Sequence, residues 1–236
     1  MKFFIDTAEI EEIKSLSKLG LVDGVTTNPS LIYKSGKDFV TVLKEISDII
    51  DGPISAEVTS TDHEKMIAQG IELAKISKNI VVKVPLTENG LIACKELRNN
   101  DIEVNVTLCF SSAQALLAGK LGASYISPFI GRLDDVGSSG LSLIKEIVEI
   151  YNTFKDIKTK VLAASIRSPS QVSQVANMGA HVATIPPKII SQMMKFILKN
   201  ILKNPDILKF KFYLIQKLLF IWVKEIVLCK ENIKNL

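Results

Sequence analysis

The sequence predicts an α/β fold, a single eight-stranded (β/α)8 or TIM barrel followed by a divergent C-terminal helical tail. Short β-branched runs alternate with longer amphipathic stretches, which is typical of a parallel sheet with crossover helices. A chain of 236 residues, 47% of them hydrophobic, has the length and the apolar content of one such barrel. An open doubly wound sheet is the alternative, because periodicity alone does not show closure. We expect the barrel in 1–195 and the tail in 196–236.

Eight short runs are the predicted strands, and each contains β-branched or aromatic residues. In chain order they are KFFID (2–6), DGVTT (23–27), ISAEV (54–58), IVVKV (80–84), EVNVTL (103–108), ASYIS (123–127), VLAAS (161–165) and HVATI (181–185). Apolar residues at helical spacing predict the helices between them. The predicted helices are 8–19, 38–50, 62–77, 88–99, 111–121, 139–153 and 169–178.

The charge distribution argues against several classes of function. Residues 196–236 contain eight lysines and three acidic residues, a local charge of +5, so residues 1–195 carry −1 of the net +4. Nucleic-acid binding needs a basic face on the folded body, and we therefore expect no nucleic-acid partner. Neither G-x-G-x-x-G nor G-x-x-x-x-G-K occurs, so a nucleotide cofactor has no support.

Cysteine and histidine are too few for the common metal sites and for a Ser-His-Asp triad. Cys94, Cys109 and Cys229 lack metal-ligand spacing, and His63 and His181 are the only histidines. We therefore expect neither a metal nor an organic cofactor. The odd number of cysteines and the absence of a secretory leader predict a cytoplasmic protein.

The tail has a composition of its own. Residues 196–236 contain no glycine or alanine but six of the fifteen aromatic residues. The longest uncharged apolar run there, LLFIWV (218–223), is far shorter than the ~20 residues needed to span a bilayer. A basic amphipathic helix on a membrane surface is one interpretation, and a packing or oligomer helix is the preferred one.

The run NIVVKVPLTENG (79–90) places Lys83 among valines. One hypothesis is an edge strand, where a lysine blocks unwanted pairing. The other is a desolvated amine, because burial lowers a lysine pKa and frees the lone pair for attack on a carbonyl.

Polar side chains at the strand ends favour the second hypothesis, since reactive groups of a parallel barrel come from the C-terminal ends of strands. Seven of the eight predicted strands carry such groups at or just beyond that end. They are Asp6; Thr26, Thr27 and Asn28; Glu57; Lys83; Asn105 and Thr107; Ser127, with Phe129 and Arg132 beyond it; and Ser165, followed by Arg167.

An amine beside two carboxylates, Asp6 and Glu57, suits imine chemistry, which needs proton donors and acceptors. The amides and hydroxyls suit a sugar chain, and guanidinium groups bind phosphate well. For each polar residue alone, a satisfied strand-end group is the alternative, and for Arg132 and Arg167 it is a surface ion pair. Together the residues predict a phosphorylated carbonyl compound handled through a lysine imine.

Seven motifs resemble the transaldolase family, specifically its short-chain branch, in order and spacing over 1–195. They are FFIDTA (3–8), GVTTNPSLI (24–32), ISAEVTS (54–60), IVVKVPLT (80–87), VNVTLCFSSAQALLAGKLGASYISPFIGRLDD (104–135), AASIR (163–167) and GAHVATIPPKI (179–189). The resemblance implies transfer of a dihydroxyacetone unit from sedoheptulose 7-phosphate to glyceraldehyde 3-phosphate. The products are erythrose 4-phosphate and fructose 6-phosphate.

The same resemblance implies a role for each site residue. Lys83 would form the imine, Asp6 would assist proton transfer in carbon–carbon cleavage, and Glu57 with Thr107 and a water would shuttle protons. The implied binding residues are Asn28, Asn105, Ser127 and Ser165 for the dihydroxyacetone portion, and Arg132 and Arg167 for the phosphate.

Two alternatives stay open at this point. Fructose-6-phosphate aldolases, which release free dihydroxyacetone, usually carry glutamine and tyrosine where this chain has Glu57 and Phe129, so these two residues favour transaldolase. The other alternative is a non-catalytic phosphosugar-binding barrel that reaches membranes through its tail.

The tail also departs from the family pattern, and we interpret it as a lineage-specific extension or a shifted reading frame. Short-branch relatives often form decamers through the C-terminal helix. The resemblance therefore implies a homo-oligomer, a decamer, although the altered tail does not match the ending through which relatives assemble.

Overall fold

The protein is described by a computed structural model over residues 1–195, and this part of the chain forms the predicted closed barrel. Eight parallel strands pair in chain order, and β8 pairs with β1 to complete the ring. The open doubly wound sheet is therefore excluded. The tail, 196–236, lies outside the described residues, and its predicted boundary stays a prediction.

The strands occupy the eight predicted positions with small differences at their ends. They are β1 Lys2–Asp6, β2 Gly24–Thr26, β3 Ile54–Glu57, β4 Ile80–Pro85, β5 Val104–Cys109, β6 Tyr125–Pro128, β7 Lys160–Ala163 and β8 Val182–Ile185. Helices follow every strand. They are α1 Ile10–Ser17, α2 Pro29–Ser35, α3 Phe39–Ser47, α4 His63–Ala74, α5 Glu88–Asn99, α6 Ser112–Lys120, α7 Ile130–Asp135, α8 Gly140–Thr153, α9 Pro169–Asn177 and α10 Pro187–Met194.

Three helices, α2, α7 and α10, were not among those predicted from the periodicity. Helix α2 has seven residues and begins where Asn28 accepts a hydrogen bond from the Leu31 amide at 2.9 Å, with Pro29 at its first position. Helix α7 has six residues and starts just beyond β6. Helices α2 and α7 are too short to show an amphipathic repeat, but the N-cap residue of α2, Asn28, and Arg132 of α7 line the mouth of the barrel.

The prediction that β7 runs to Ser165 was wrong. The strand ends at Ala163, Ala164 makes only an isolated bridge with Phe129, and Ser165 has a φ of 60°. This left-handed backbone ends the strand and turns the chain over the barrel mouth.

Apolar side chains fill the barrel interior beneath its polar mouth. Alternate residues of a strand point to opposite faces, and one face contributes Phe4, Val81, Tyr125, Leu162 and Val182 to a single buried cluster. The rings of Phe4 and Tyr125 lie 5.9 Å apart, close enough for a favourable aromatic contact. This cluster fills the barrel below the polar groups at the C-terminal ends of the strands.

A second, larger apolar layer lies between the strands and the surrounding helices. Helix α8 illustrates it, because Leu143, Ile144, Ile147, Val148 and Tyr151 are buried at helical spacing on one side. Within residues 1–195 no helix combines the length and the apolar character needed to cross a membrane.

Candidate active site

Strand register brings the central site residues side by side. Glu57 on β3 is the Cα partner of Lys83 on β4, which is in turn the partner of Asn105 on β5. Partners in a parallel ladder point to the same face, and Lys83 lies two residues beyond Val81 of the interior cluster. All three side chains therefore point into the barrel mouth.

Lys83 is a buried amine with two polar partners. Its residue is 7% exposed, and its Nζ lies 2.9 Å from Glu57 Oε2 and donates to the Thr27 carbonyl oxygen at 3.2 Å. Strand β4 pairs with β3 on one side and β5 on the other, so the edge-strand hypothesis was wrong. A buried amine next to a carboxylate that can accept its proton has the two partners that imine formation needs.

Asp6 lies in the same mouth and is held by hydroxyl groups. Thr26 donates to Asp6 Oδ1 at 3.0 Å, and because its proton is used there, it is the acceptor in its hydrogen bond with the Thr184 hydroxyl. Burial raises the pKa of Asp6 above its ordinary value, although the positive charge of Lys83 acts in the opposite direction. Asp6 therefore keeps its proton to a higher pH than an exposed aspartate and is suited to proton transfer.

Asn105 is fixed from both sides at the floor of the mouth. It is fully buried, donates from Nδ2 to Ser55 Oγ at 3.2 Å and accepts from Ser127 Oγ at 2.7 Å. These bonds define the amide orientation and also engage the Ser127 hydroxyl. Asn105 and Ser127 thus form one fixed polar unit beside Lys83.

Sequence reasoning missed two residues of this network, Ser55 and Thr184. Ser55 lies two residues before Glu57, and Thr184 lies two residues after Val182, so strand alternation assigns both to the inner face. That alternation, applied to every strand rather than only to strand ends, is the signal that identifies them.

Thr107 has a buried hydroxyl that finds no hydrogen-bond partner in the described part of the chain. An unpaired buried polar group is costly, so this oxygen suits a bound water or a substrate hydroxyl. The register of β5 shifts between Val106 and Cys109, and Leu108 has a φ of 61°. The resulting bulge lies directly beside Thr107, where bulges commonly redirect side chains near functional sites.

A cavity of about 210 Å³ occupies the barrel mouth. Its walls are Asp6, Thr26, Asn28, Lys83, Thr107, Ser127, Phe129, Arg132, Leu162, Ala164, Ser165 and Thr184. Eight of the eleven predicted site residues belong to this lining. Of the other three, Asn105 is buried within the network just described, and Glu57 reaches Lys83 while lining a neighbouring cavity with Phe39 and Val58. The third, Arg167, does not line this cavity.

Asn28 and Phe129 have limited hydrogen-bonding capacity towards the cavity. The side-chain oxygen of Asn28 already caps α2, which leaves its amide nitrogen for a ligand. Phe129 lies edge-on to Phe110, with ring centroids 6.0 Å apart, and it presents only carbon atoms. The wall at position 129 therefore offers no proton donor.

The two arginines of the site differ in their surroundings. Arg132, on α7, is exposed and lines the cavity. Arg167 instead forms a two-pronged ion pair with Asp135, at the end of the same helix. The surface ion pair considered as the alternative is thus present for Arg167 in this structure. The hydrogen bonds from Arg167 hold the pKa of Asp135 below its ordinary value.

Within residues 1–195, no group of three or more histidine, cysteine, aspartate and glutamate side chains has an arrangement that would hold a metal ion. The buried thiols Cys94 and Cys109 have pKa values raised by desolvation to about 11 and about 12. Neither thiol is a wall of the cavity in the barrel mouth.

Comparison with known proteins gives matches over most of the chain. The family model described as "Transaldolase/Fructose-6-phosphate aldolase" matches residues 3–212. A "Probable transaldolase" of Rhodospirillum centenum is 56% identical over 193 residues, 82% of this chain and 84% of that protein. Proteins with the same description from Clostridioides difficile (56% over 195 residues, 83% and 90%) and Ruegeria sp. (58% over 194 residues, 82% and 89%) are similarly close.

Solved structures with low identity share the fold alone. A thiamine phosphate pyrophosphorylase from Pyrococcus furiosus superposes with a TM-score of 0.54 at 17% identity, covering 78% of this chain and 85% of that chain. A flavocytochrome b2 with sulfite bound gives a TM-score of 0.59 at 11% identity, covering 79% and 57%.

Proposed function

The chain belongs to the transaldolase/fructose-6-phosphate aldolase family, and from that premise we propose that it is a transaldolase acting through an imine on Lys83. The donor is sedoheptulose 7-phosphate and the acceptor is glyceraldehyde 3-phosphate. The products are erythrose 4-phosphate and fructose 6-phosphate. The observation that carries the proposal is the buried Lys83 amine, 2.9 Å from one carboxylate and in the same mouth as a second.

Imine formation is assigned to Lys83 with Glu57 and Thr107. The amine, after losing a proton, attacks the C2 carbonyl carbon of the ketose phosphate and forms a carbinolamine. Glu57, next to Nζ, accepts the proton from the nitrogen and returns one to the departing hydroxyl, which leaves as water. The unpaired Thr107 hydroxyl is suited to hold the water that relays this proton.

Carbon–carbon cleavage is assigned to Asp6. Its carboxylate takes the proton of the C4 hydroxyl, the C3–C4 bond breaks, and the electron pair moves into the imine to give an enamine. The aldehyde, erythrose 4-phosphate, leaves. The enamine carbon then attacks glyceraldehyde 3-phosphate, Asp6 returns the proton to the new hydroxyl, and hydrolysis of the imine releases fructose 6-phosphate.

The remaining polar residues are assigned to recognition of the substrate. Asn105 and Ser127, fixed by their hydrogen bonds, offer a rigid polar surface to the hydroxyls of the three-carbon unit, with Asn28 and Ser165 nearby. Arg132, on the cavity wall, and Arg167 are assigned to the phosphate, which guanidinium groups bind well. The imine on Lys83 accepts the electron pair of the broken carbon–carbon bond, so the reaction requires no cofactor.

The wider setting is also a proposal. We place the enzyme in the cytoplasm and in the pentose phosphate pathway, as a homo-oligomer that is a decamer by resemblance. The non-catalytic phosphosugar-binding barrel is not favoured, because it gives no role to a buried amine beside two carboxylates.

Product analysis tests the overall activity. With fructose 6-phosphate and erythrose 4-phosphate, the reverse transfer should yield glyceraldehyde 3-phosphate and sedoheptulose 7-phosphate in equal amounts. With fructose 6-phosphate alone, a transaldolase should stop after the first half-reaction, in which glyceraldehyde 3-phosphate leaves and the enamine is retained. Steady release of dihydroxyacetone would instead identify an aldolase.

Phe129→Tyr should raise the ratio of dihydroxyacetone release to transfer by about tenfold or more, because proton transfer by a positioned side chain is worth 10²–10⁴-fold. A tyrosine hydroxyl at this wall can activate the water that discharges the three-carbon unit, whereas phenylalanine cannot. Both products are measured in one assay. Phe154→Tyr, at an exposed site after α8, is the matched control. An unchanged ratio in Phe129→Tyr would remove this position from the specificity argument.

A further inference from the structure

Arg167 is held away from the cavity by a carboxylate of its own chain. Both terminal nitrogens of its guanidinium donate to the two oxygens of Asp135, so the pair uses the forked end of the arginine that a phosphate would also need. Arg132, its predicted partner in phosphate binding, lines the cavity, whereas Arg167 does not.

The other edge of the guanidinium is blocked as well. The Arg167 side chain crosses α7 at Gly131, where an added Cβ would come within 2.4 Å of Arg167 Nε and 2.5 Å of the Ser165 carbonyl oxygen. The Nε edge therefore faces the backbone of α7. A phosphate can bind Arg167 with two hydrogen bonds only after Asp135 has released the forked end.

The surrounding contacts position the Arg167–Asp135 ion pair, but the free energy of this pair is small. Gln171 accepts from the Arg167 amide and donates to Asp134, the neighbour of Asp135, so the loop after β7 is tied to α7. The side chains of Arg167 and Asp135 are nevertheless 47% and 41% exposed, and exposed ion pairs contribute little free energy. A doubly charged phosphate can therefore replace the singly charged carboxylate.

We propose that Asp135 competes with the substrate phosphate for Arg167, as a built-in carboxylate that a phosphate monoester must displace on binding. The positive charge of Arg132 also acts on Asp135. Asp135 therefore occupies a position where both arginines attract an anion. The exchange involves no covalent step. As a consequence, Asp135 neutralises Arg167 until a phosphate binds. Arg167 then pairs only with an anion that binds it more strongly than Asp135 does.

The test compares Asp135→Asn with wild type in calorimetric titration with inorganic phosphate at low ionic strength. The variant should bind phosphate about two- to fivefold more tightly, the range that corresponds to the free energy of an exposed ion pair. Asp156→Asn removes the same charge from an exposed site between α8 and β7, at the opposite end of the barrel, and serves as the matched control. Adding Arg167→Met to Asp135→Asn should abolish the gain.

Kinetics supply a second readout; the identity of the phosphate as the substrate's rests on the proposed function, whereas the titration with inorganic phosphate does not require turnover. Asp135→Asn should lower the KM for fructose 6-phosphate and leave the KM for unphosphorylated fructose as in wild type. Weaker or unchanged phosphate binding, or a gain that survives removal of Arg167, would overturn the inference. Absence of an imine at Lys83 would overturn the proposed function instead, because phosphate titration requires no turnover.

Discussion

Lys83→Arg is expected to lower transfer activity below about 1% of wild type, because covalent catalysis by an amine has no comparable bypass. A guanidinium stays protonated at all accessible pH values and cannot form the imine. The replacement keeps a positive charge next to Glu57, so the loss would reflect nucleophilicity rather than charge. Initial rates with fructose 6-phosphate and erythrose 4-phosphate measure it.

Lys75→Arg is the matched control for this prediction. Lys75 is exposed at the end of α4 and pairs with Glu72, so the same chemical change there should leave the rate as in wild type. Activity of Lys83→Arg above about 1% would contradict the assignment of the nucleophile.

Asp6→Asn is expected to reduce kcat by about 10²- to 10⁴-fold, the usual contribution of a positioned general acid or base. The amide can still accept the hydrogen bond from Thr26 but cannot take the C4 hydroxyl proton. In wild type, activity should fall as the pH decreases through the raised pKa of Asp6, since the ionised form is the base. The residual activity of the variant should lack that acid limb, and a pH profile of kcat distinguishes the two.

The same substitution should stabilise the fold at neutral pH. Burial raises the pKa of Asp6, so the folded protein holds this proton more tightly than the unfolded chain does. As the pH rises from the ordinary pKa of aspartate through the raised pKa, the folded state loses stability relative to the unfolded state. Asp6→Asn should therefore raise the melting temperature at pH 7 but not near about pH 3.5, below the ordinary pKa. A lower melting temperature at pH 7 would show that ionised Asp6 supports the fold.

The alternation of residues along strands explains why so much of the barrel was predictable. The β-branched runs located all eight strands, and the family predicted from seven motifs is confirmed by matches along most of the chain. Polar residues at the C-terminal strand ends predicted Asp6, Lys83 and Thr107 as neighbours, and the cavity brings these three together. This succeeded because parallel strands in register fix the face and the height of each side chain.

The features that could not be predicted from the sequence depend on contacts that strand periodicity does not encode. Helices α2 and α7 are too short to show a repeat, and Asp135 meets Arg167 across 32 residues of sequence. Closure of the ring also depends on pairing between the first and last strands, which no local pattern specifies. The roles of the individual site residues remain predictions that substitution and trapping must test.

Borohydride trapping tests the central claim most directly. The enzyme is incubated with fructose 6-phosphate, reduced, digested and analysed by peptide mass spectrometry, with and without erythrose 4-phosphate. The account predicts a reduced dihydroxyacetone adduct on Lys83 that diminishes when the acceptor is present, because the acceptor removes the three-carbon unit. An absent adduct, or one on another lysine, would contradict the proposal that Lys83 forms the imine.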